Sequence, residues 1–455
     1  MATRLLSKED EDRIRKRDRA HRMYSWAVQS KVTPKVIVKA EGCYMWDAEG
    51  NRYFDLWSQA CYLQIGHQHP RVIEAIKKQA ENLCVLRGEA ANETPSRLAE
   101  MLSELSPGDL NKVFFTLDGA EANENAIRMA RLFTGKSKIL ARYRAYHGAT
   151  LGALSASGDP RRFYAEPTPT GFVHIPDCYC YRCPFEKTYP ECNVLCARYV
   201  DDVIQMEGNV AAVLVETIVG SNGLLIPPVE YLQVLKQICE KHGVLLILDE
   251  VMAGIGRAGR WFACEHYGVV PDLLTLAKGI TSGYVPIGAV LISSKIAEFF
   301  EDRYFPCGLT FSSHPLACAA GIASLTVMKE ENLVERSEKL GKILGSQLER
   351  LKERHVSVGD VRNKGLFGCV ELVSDRLTKK PLVKWNASGA ETKPMDEVAK
   401  SLLSDGIFPN RRWNYLFIGP PLIATEEDLI EATKALDKAL GVADGYAETE
   451  QAKGS

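Results

Sequence analysis

The chain has 455 residues, with 56 lysines and arginines against 58 aspartates and glutamates, a formal net charge of −2. Apolar residues make up 46% and charged ones 25%, and no run reaches the roughly 18 apolar residues that a membrane span needs. That balance excludes the broad basic field of a nucleic-acid or anionic-membrane binder and favours a protein handling small molecules.

Residues 1–22 are rich in arginine but lack the apolar core of a secretory signal. Glu9, Asp10, Glu11, Asp12 and Asp18 also depart from the acid-poor pattern of a mitochondrial transit peptide, so this stretch reads as a charged arm or helix. With 13 cysteines and no secretory signal, the expectation is a cytoplasmic protein with mostly reduced thiols. Val36–Val38, Cys43–Trp46 and Tyr53–Phe54, separated by Asp47–Asn51 turn chemistry, predict a small β-meander.

From Pro70 the pattern changes to helices (71–83 and 94–105) alternating with short apolar strands at 112–116, 137–141, 211–215, 244–248, 271–277 and 289–292. Continuous apolar strands between helix-length segments predict a mainly parallel sheet covered on both faces. One long helical stretch is expected from Pro315 to about His355, then strands near 368–372 and 416–418. A last helix should start at Thr425, where Thr-Glu-Glu-Asp is a capping signal, and Ala452–Ser455 reads as a disordered tail. The fold class is α/β, with a large sheet domain and a smaller α+β domain built from both chain ends. The predicted divisions are 1–65, an N-terminal arm and part of the small domain; 66–325, the large domain; and 326–455, the rest of the small domain.

Chemistry concentrates at two strand ends. Asp249 closes the apolar run 244–248, and ligands of an open parallel sheet bind beyond the carboxyl ends of its strands. A carboxylate there suits a cationic ring nitrogen. Lys278 follows the run ending at Ala277, where desolvation lowers a lysine pKa and favours Schiff-base chemistry. The segment 245–291, with its glycine-rich stretch between the two residues, resembles the signature of class III aminotransferases, the fold-type I enzymes that use pyridoxal 5′-phosphate. The resemblance runs from about residue 25 to 440 and implies a large domain with a seven-stranded-type sheet.

It further implies roles, residue by residue. Lys278 is the Schiff-base lysine and Asp249 the partner of the pyridine nitrogen. Gly119 and Ala120 open the helix whose amides hold the phosphate, although Asp118-Gly119-Ala120 replaces the usual Ser-Gly-Ser. Tyr146, before His147-Gly148, stacks on the ring, with Val251 on its other face. Glu216 is the strand-end glutamate, followed here by Thr217 where proline is common. Thr310 reaches the phosphate of a neighbouring subunit, which makes the expected unit a homodimer or a dimer of dimers with shared sites.

For the substrate, either Arg411 or Arg412 matches the loop arginine that grips a carboxylate, Arg411 being preferred. Tyr24, Trp26, Trp57 and Tyr62 lie where the family builds its pocket, and Tyr24 and Trp57 are the selected wall residues. An aromatic pocket with a single arginine suits an amine or ω-amino acid donor and pyruvate in a ping-pong cycle. The alternatives are a 4-aminobutyrate or ornithine type using 2-oxoglutarate, or an aminomutase or decarboxylase on the same fold. Five cysteines fall between Cys178 and Cys196. Cys180, Cys183, Cys192 and Cys196 have the spacing of a zinc or iron–sulfur site, but the segment resembles a family loop without an obligatory metal, so none is expected.

Overall fold

The computed structural model describes residues 3–447, so the expected tail at 452–455 lies outside the described residues. The N-terminal arm contains the helix Lys8–His21, capped by Ser7, whose Oγ accepts from the Asp10 amide. Strands β1 (Ile37–Glu41), β2 (Tyr44–Asp47) and β3 (Arg52–Asp55) form the expected meander, turned by Asp47, whose Oδ1 accepts from the amides of Glu49 and Asn51.

The central sheet holds β4 (Leu110–Thr116), β5 (Lys138–Arg142), β6 (Phe172–Ile175), β7 (Val210–Glu216), β8 (Leu245–Asp249), β9 (Leu273–Leu276) and β10 (Gly288–Ser293). Their order is β4-β10-β9-β8-β7-β5-β6. β5 through β9 run parallel, whereas β10 is antiparallel to both β9 and β4. β7, β8 and β9 are buried at every residue, because helices cover both faces.

The expected single helix after Pro315 is two helices, Pro315–Glu330 and Leu333–Arg354. Asn332 breaks it by adopting φ +52, a left-handed conformation that asparagine tolerates better than most residues. β11 (Val358–Lys364), β12 (Phe367–Asp375), β13 (Lys380–Pro381), β14 (Ile407–Phe408), β15 (Asn410–Arg412) and β16 (Tyr415–Ile418) follow. β11, β12, β16 and β15 make one antiparallel sheet with β13 on β12. β14 instead pairs in parallel with β3, so the meander's sheet joins segments from both chain ends. The last helix, Glu426–Asp444, has the expected start: Thr425 accepts from the Asp428 amide, and Asp428 from the Thr425 amide.

Arg257 locks these layers together. It is fully buried, and its guanidinium donates to the carbonyls of Leu366 (3.0 Å) and Pro420 (2.6 Å), to Ser58 Oγ (3.2 Å) and to Gln64 Oε1. Four acceptors from distant segments offset the cost of burying the charge. Gly288 is the tightest fit beside the β4 turn, since a Cβ there would run into the Asp118 carbonyl and Thr116 Oγ1. Gly288→Ala should therefore cost about 1–3 kcal/mol and lower the urea midpoint. Gly308→Ala, where a Cβ meets nothing within 4 Å, serves as the control. Equal midpoints for the two variants would contradict this reading of the turn.

Candidate active site

The register of the central strands assembles the site. Glu216 on β7 pairs with Asp249 on β8, and Asp249 pairs with Thr275 on β9, so three polar strand ends stand in a row. Beyond β9, Lys278 adopts φ +39, a conformation costing a non-glycine residue about 1–3 kcal/mol. Its side chain enters a cavity of about 520 Å³ that is also lined by Gly119, Ala120, Tyr146, Glu216, Asp249 and Val251. The sequence-predicted cofactor residues other than Thr310 thus share one wall system. Tyr62 belongs to it as well.

Burial pushes the Lys278 amine below its ordinary pKa, and Arg161 adds to that; nearby Cys61, Asp249 and Glu216 oppose it. Desolvation is the larger effect. Burial likewise pushes the Glu216 carboxyl up, aided by the negative charge of Asp249, while hydrogen bonds from the Tyr146 amide (3.0 Å) and the Gly220 amide (2.7 Å) pull it back.

Asp249 is 4% exposed and tightly held. Oδ1 accepts from the Val251 amide at 2.9 Å, and Oδ2 accepts from Asn123 Nδ2 at 2.8 Å and lies 2.8 Å from His147 Nδ1. Asn123 is oriented in turn by Thr275, whose Oγ1 donates to its Oδ1 at 2.8 Å. His147 stands in the Tyr146-His147-Gly148 element of the sequence, but its contact with Asp249 and the parts played by Asn123 and Thr275 are exposed only by their burial and hydrogen bonds.

The helix Gly119–Thr134 starts at the cavity. Asp118 caps it by accepting from the Glu121 amide at 2.9 Å, and Glu121 Oε2 accepts from the Leu117 amide at 2.9 Å. A Cβ at Gly119 would lie 2.7 Å from Val251 Cγ2, so glycine is what lets Val251 pack against this turn. A helix N-terminus, a buried carboxylate, a flat tyrosine and a desolvated amine around one cavity fit pyridoxal phosphate: anion, cationic ring nitrogen, ring face and aldehyde in turn.

Thr310 is exposed and lines a cleft with Arg87, Glu89 and Phe114 that is separate from its own chain's Lys278 cavity. Three expectations meet a different geometry. Trp57 is not a wall of that cavity: it is 4% exposed and packs on Phe367 and Phe417, with ring centroids 5.9 and 5.0 Å away. Tyr24 lies beside Arg22 in a peripheral groove. Arg411 pairs with Asp396, whereas Arg412 pairs with Asp159 at 2.8 Å, because neighbours on a strand point to opposite faces. Arg412 is the one near Tyr146.

The cysteine loop lies apart. Cys178, Cys180, Cys183, Cys192 and Cys196 line one small cavity, and Arg142 donates to Cys178 Sγ at 3.0 Å. Among the described residues, no group of three His, Cys, Asp or Glu is placed to hold a metal ion. The loop docks on β12 through Tyr179 and Arg182, both of which donate to Glu371.

Residues 25–440 match the model of the aminotransferase class-III family. The chain is 36% identical to the leucine/methionine racemase of Thermococcus litoralis, covering 93% of this chain and 94% of that protein. It is 35% identical to the taurine–pyruvate aminotransferase of Bilophila wadsworthia, over 89% and 92% respectively. The structure of taurine:2-oxoglutarate aminotransferase from Bifidobacterium kashiwanohense, bound to PLP and glutamate, superposes with a TM-score of 0.91 at 39% identity, covering 96% of this chain and 98% of that one. With a match across nearly its whole length, the chain belongs to the class III aminotransferases and is a pyridoxal 5′-phosphate enzyme.

Proposed function

We propose that this enzyme moves an amino group from an amine or ω-amino acid to pyruvate by a ping-pong cycle, with Lys278 and Asp249 as its central residues. The observation that carries this reading is their meeting in one cavity, a desolvated amine and a buried, fully oriented carboxylate. The taurine–pyruvate relative supports pyruvate as acceptor. All cavity-lining residues except Tyr62 lie within 66–325, which supports that span as the cofactor-binding domain.

Each residue then has a task. Lys278 Nζ, whose neutral form burial favours, would be the nucleophile that holds the cofactor and the base that moves the proton. Asp249 would hold a proton on the ring nitrogen, with His147 and Asn123 fixing the carboxylate. Bound pyridoxal phosphate supplies the electron sink for that proton transfer. The amides at Gly119 and Ala120 would hold the phosphate, and Tyr146 and Val251 would contact the ring. Arg412, rather than Arg411, faces the substrate carboxylate. Thr310 completes the phosphate site of a second copy, so the working unit is a homodimer.

Lys278→Ala should abolish turnover by about 10³-fold or more and remove the visible absorbance of the loaded enzyme. Retained turnover would overturn the assignment. Cofactor loading of the stripped protein should speed up with pH, because only neutral Nζ reacts. Its midpoint should fall below the ordinary lysine value of 10.5, since burial lowers the pKa of Lys278. A midpoint at or above that value would show that burial does not govern this amine. Asp249→Ala should lower kcat by about 10²-fold. It also leaves His147 Nδ1 without its partner and Asn123 Nδ2 with the His147 carbonyl alone, costing about 1–3 kcal/mol of stability in a denaturant titration.

A further inference from the structure

The five-cysteine loop takes no part in the cavity around Lys278. Cys178, Cys180, Cys183, Cys192 and Cys196 are free thiols that meet around a void of about 20 Å³, room for about one water and for no substrate. What the thiols face there is one another. They are not equivalent. Cys178 is buried and held by Arg142, whose Nη1 donates to its Sγ at 3.0 Å, and Cys196 is half-buried in the first turn of the helix Leu195–Glu207. Cys180 is exposed and Cys183 half-buried, so these two are the more open to a small reagent.

Their backbone sets them up as a pair. Cys180–Arg182 is a 3₁₀ turn capped by Cys183, and the Arg182 amide donates to the Tyr179 carbonyl at 3.0 Å. In that geometry side chains three apart eclipse, and a rise of about 2 Å per residue puts their Cα atoms about 6 Å apart. A disulfide needs about 4.4–6.8 Å. The void agrees: Cys180 and Cys183 line it, whereas Tyr181 and Arg182 between them do not. Those two grip the sheet of β11 and β12 instead. Arg182 Nε donates to Glu371 Oε1 at 2.6 Å, and the Tyr181 carbonyl accepts from Lys379 Nζ at 2.8 Å. A Cβ at Gly359 of β11 would run into the Tyr181 hydroxyl. Cys192 and Cys196 are also closely spaced, but the left-handed Asn193 and Val194 lie between them, so no helical turn stacks them.

We propose that Cys180 and Cys183 are a reversible redox couple, a modification site at which a small-molecule disulfide oxidises the two thiols to an intrachain bridge. The Cys180 thiolate attacks the reagent's S–S bond, giving a mixed disulfide and releasing one small thiol. Cys183 then attacks the Cys180 sulfur, which closes the bridge and releases the second small thiol. Two protons and two electrons pass from the pair to the reagent, and a small dithiol reverses the exchange. The bridge lies on the void's side, so it staples the turn while Tyr181 and Arg182 keep their grip on β11 and β12. Partial burial pushes the Cys180 thiol up to about 11, helped by Cys178, Cys192, Cys183 and the Asp360 carboxylate, so exchange quickens with pH.

The test exposes the loaded enzyme to oxidised glutathione, alkylates the remaining thiols and maps linked peptides by mass spectrometry. Cys180 and Cys183 should leave the alkylated set together, joined to each other, and dithiothreitol should restore both. The rate should rise about tenfold per pH unit between pH 7 and pH 9, following the thiolate fraction. In Cys183→Ser, Cys180 should stop at a glutathione adduct. Amide hydrogen exchange over 179–183 should slow about threefold or more in the bridged enzyme. A bridge between any other cysteines, or none, would overturn the proposal. So would a rate flat with pH, a Cys183→Ser enzyme that takes no glutathione at Cys180, or faster exchange over 179–183.

Discussion

A lysine that is to act as a nucleophile must be kept neutral beside carboxylates that favour its protonated form. At Lys278 this contest is set up by the sheet. Parallel pairing in register fixes Glu216 and Asp249 side by side, and β9 delivers Lys278 just beyond them. Burial depresses the lysine pKa more than these acids raise it. The surrounding architecture serves that balance: helices seal both faces of the sheet, and the strained φ of Lys278 aims the amine into the cavity.

The same logic governs Asp249. A buried carboxylate needs fixed partners, and it has three, from β8's own following turn, from the helix Gly119–Thr134 and from the loop after β5. Thr275 extends the chain of hydrogen bonds by orienting Asn123. The overall charge of −2 is thus uninformative about the site.

Much of this was legible because buried parallel strands write themselves as unbroken apolar runs, so a polar residue at their end stands out; Asp249 and Lys278 are of this kind. Features that depend on which way a side chain turns were not. Trp57 and Tyr62 are near neighbours of similar character, yet a run of left-handed residues at Ser58, Gln59 and Cys61 sends Trp57 into the core and Tyr62 to the cavity. Arg411 and Arg412 differ only by the alternation of a three-residue strand whose register no pattern announces. Asp159 caps a short 3₁₀ turn and meets Arg412 of β15 only through the fold, some 250 residues later. The reversed direction of β10 is likewise seen only in its pairing with β9 and β4.

The most direct test of the account follows the nitrogen. The loaded enzyme would be incubated with a ¹⁵N-labelled amine donor and unlabelled pyruvate, and the alanine formed analysed by mass spectrometry. Transfer through the Lys278 cavity predicts ¹⁵N-alanine in step with loss of the donor. Donor that is racemised or decarboxylated, or that releases ammonium, without ¹⁵N entering alanine would contradict it.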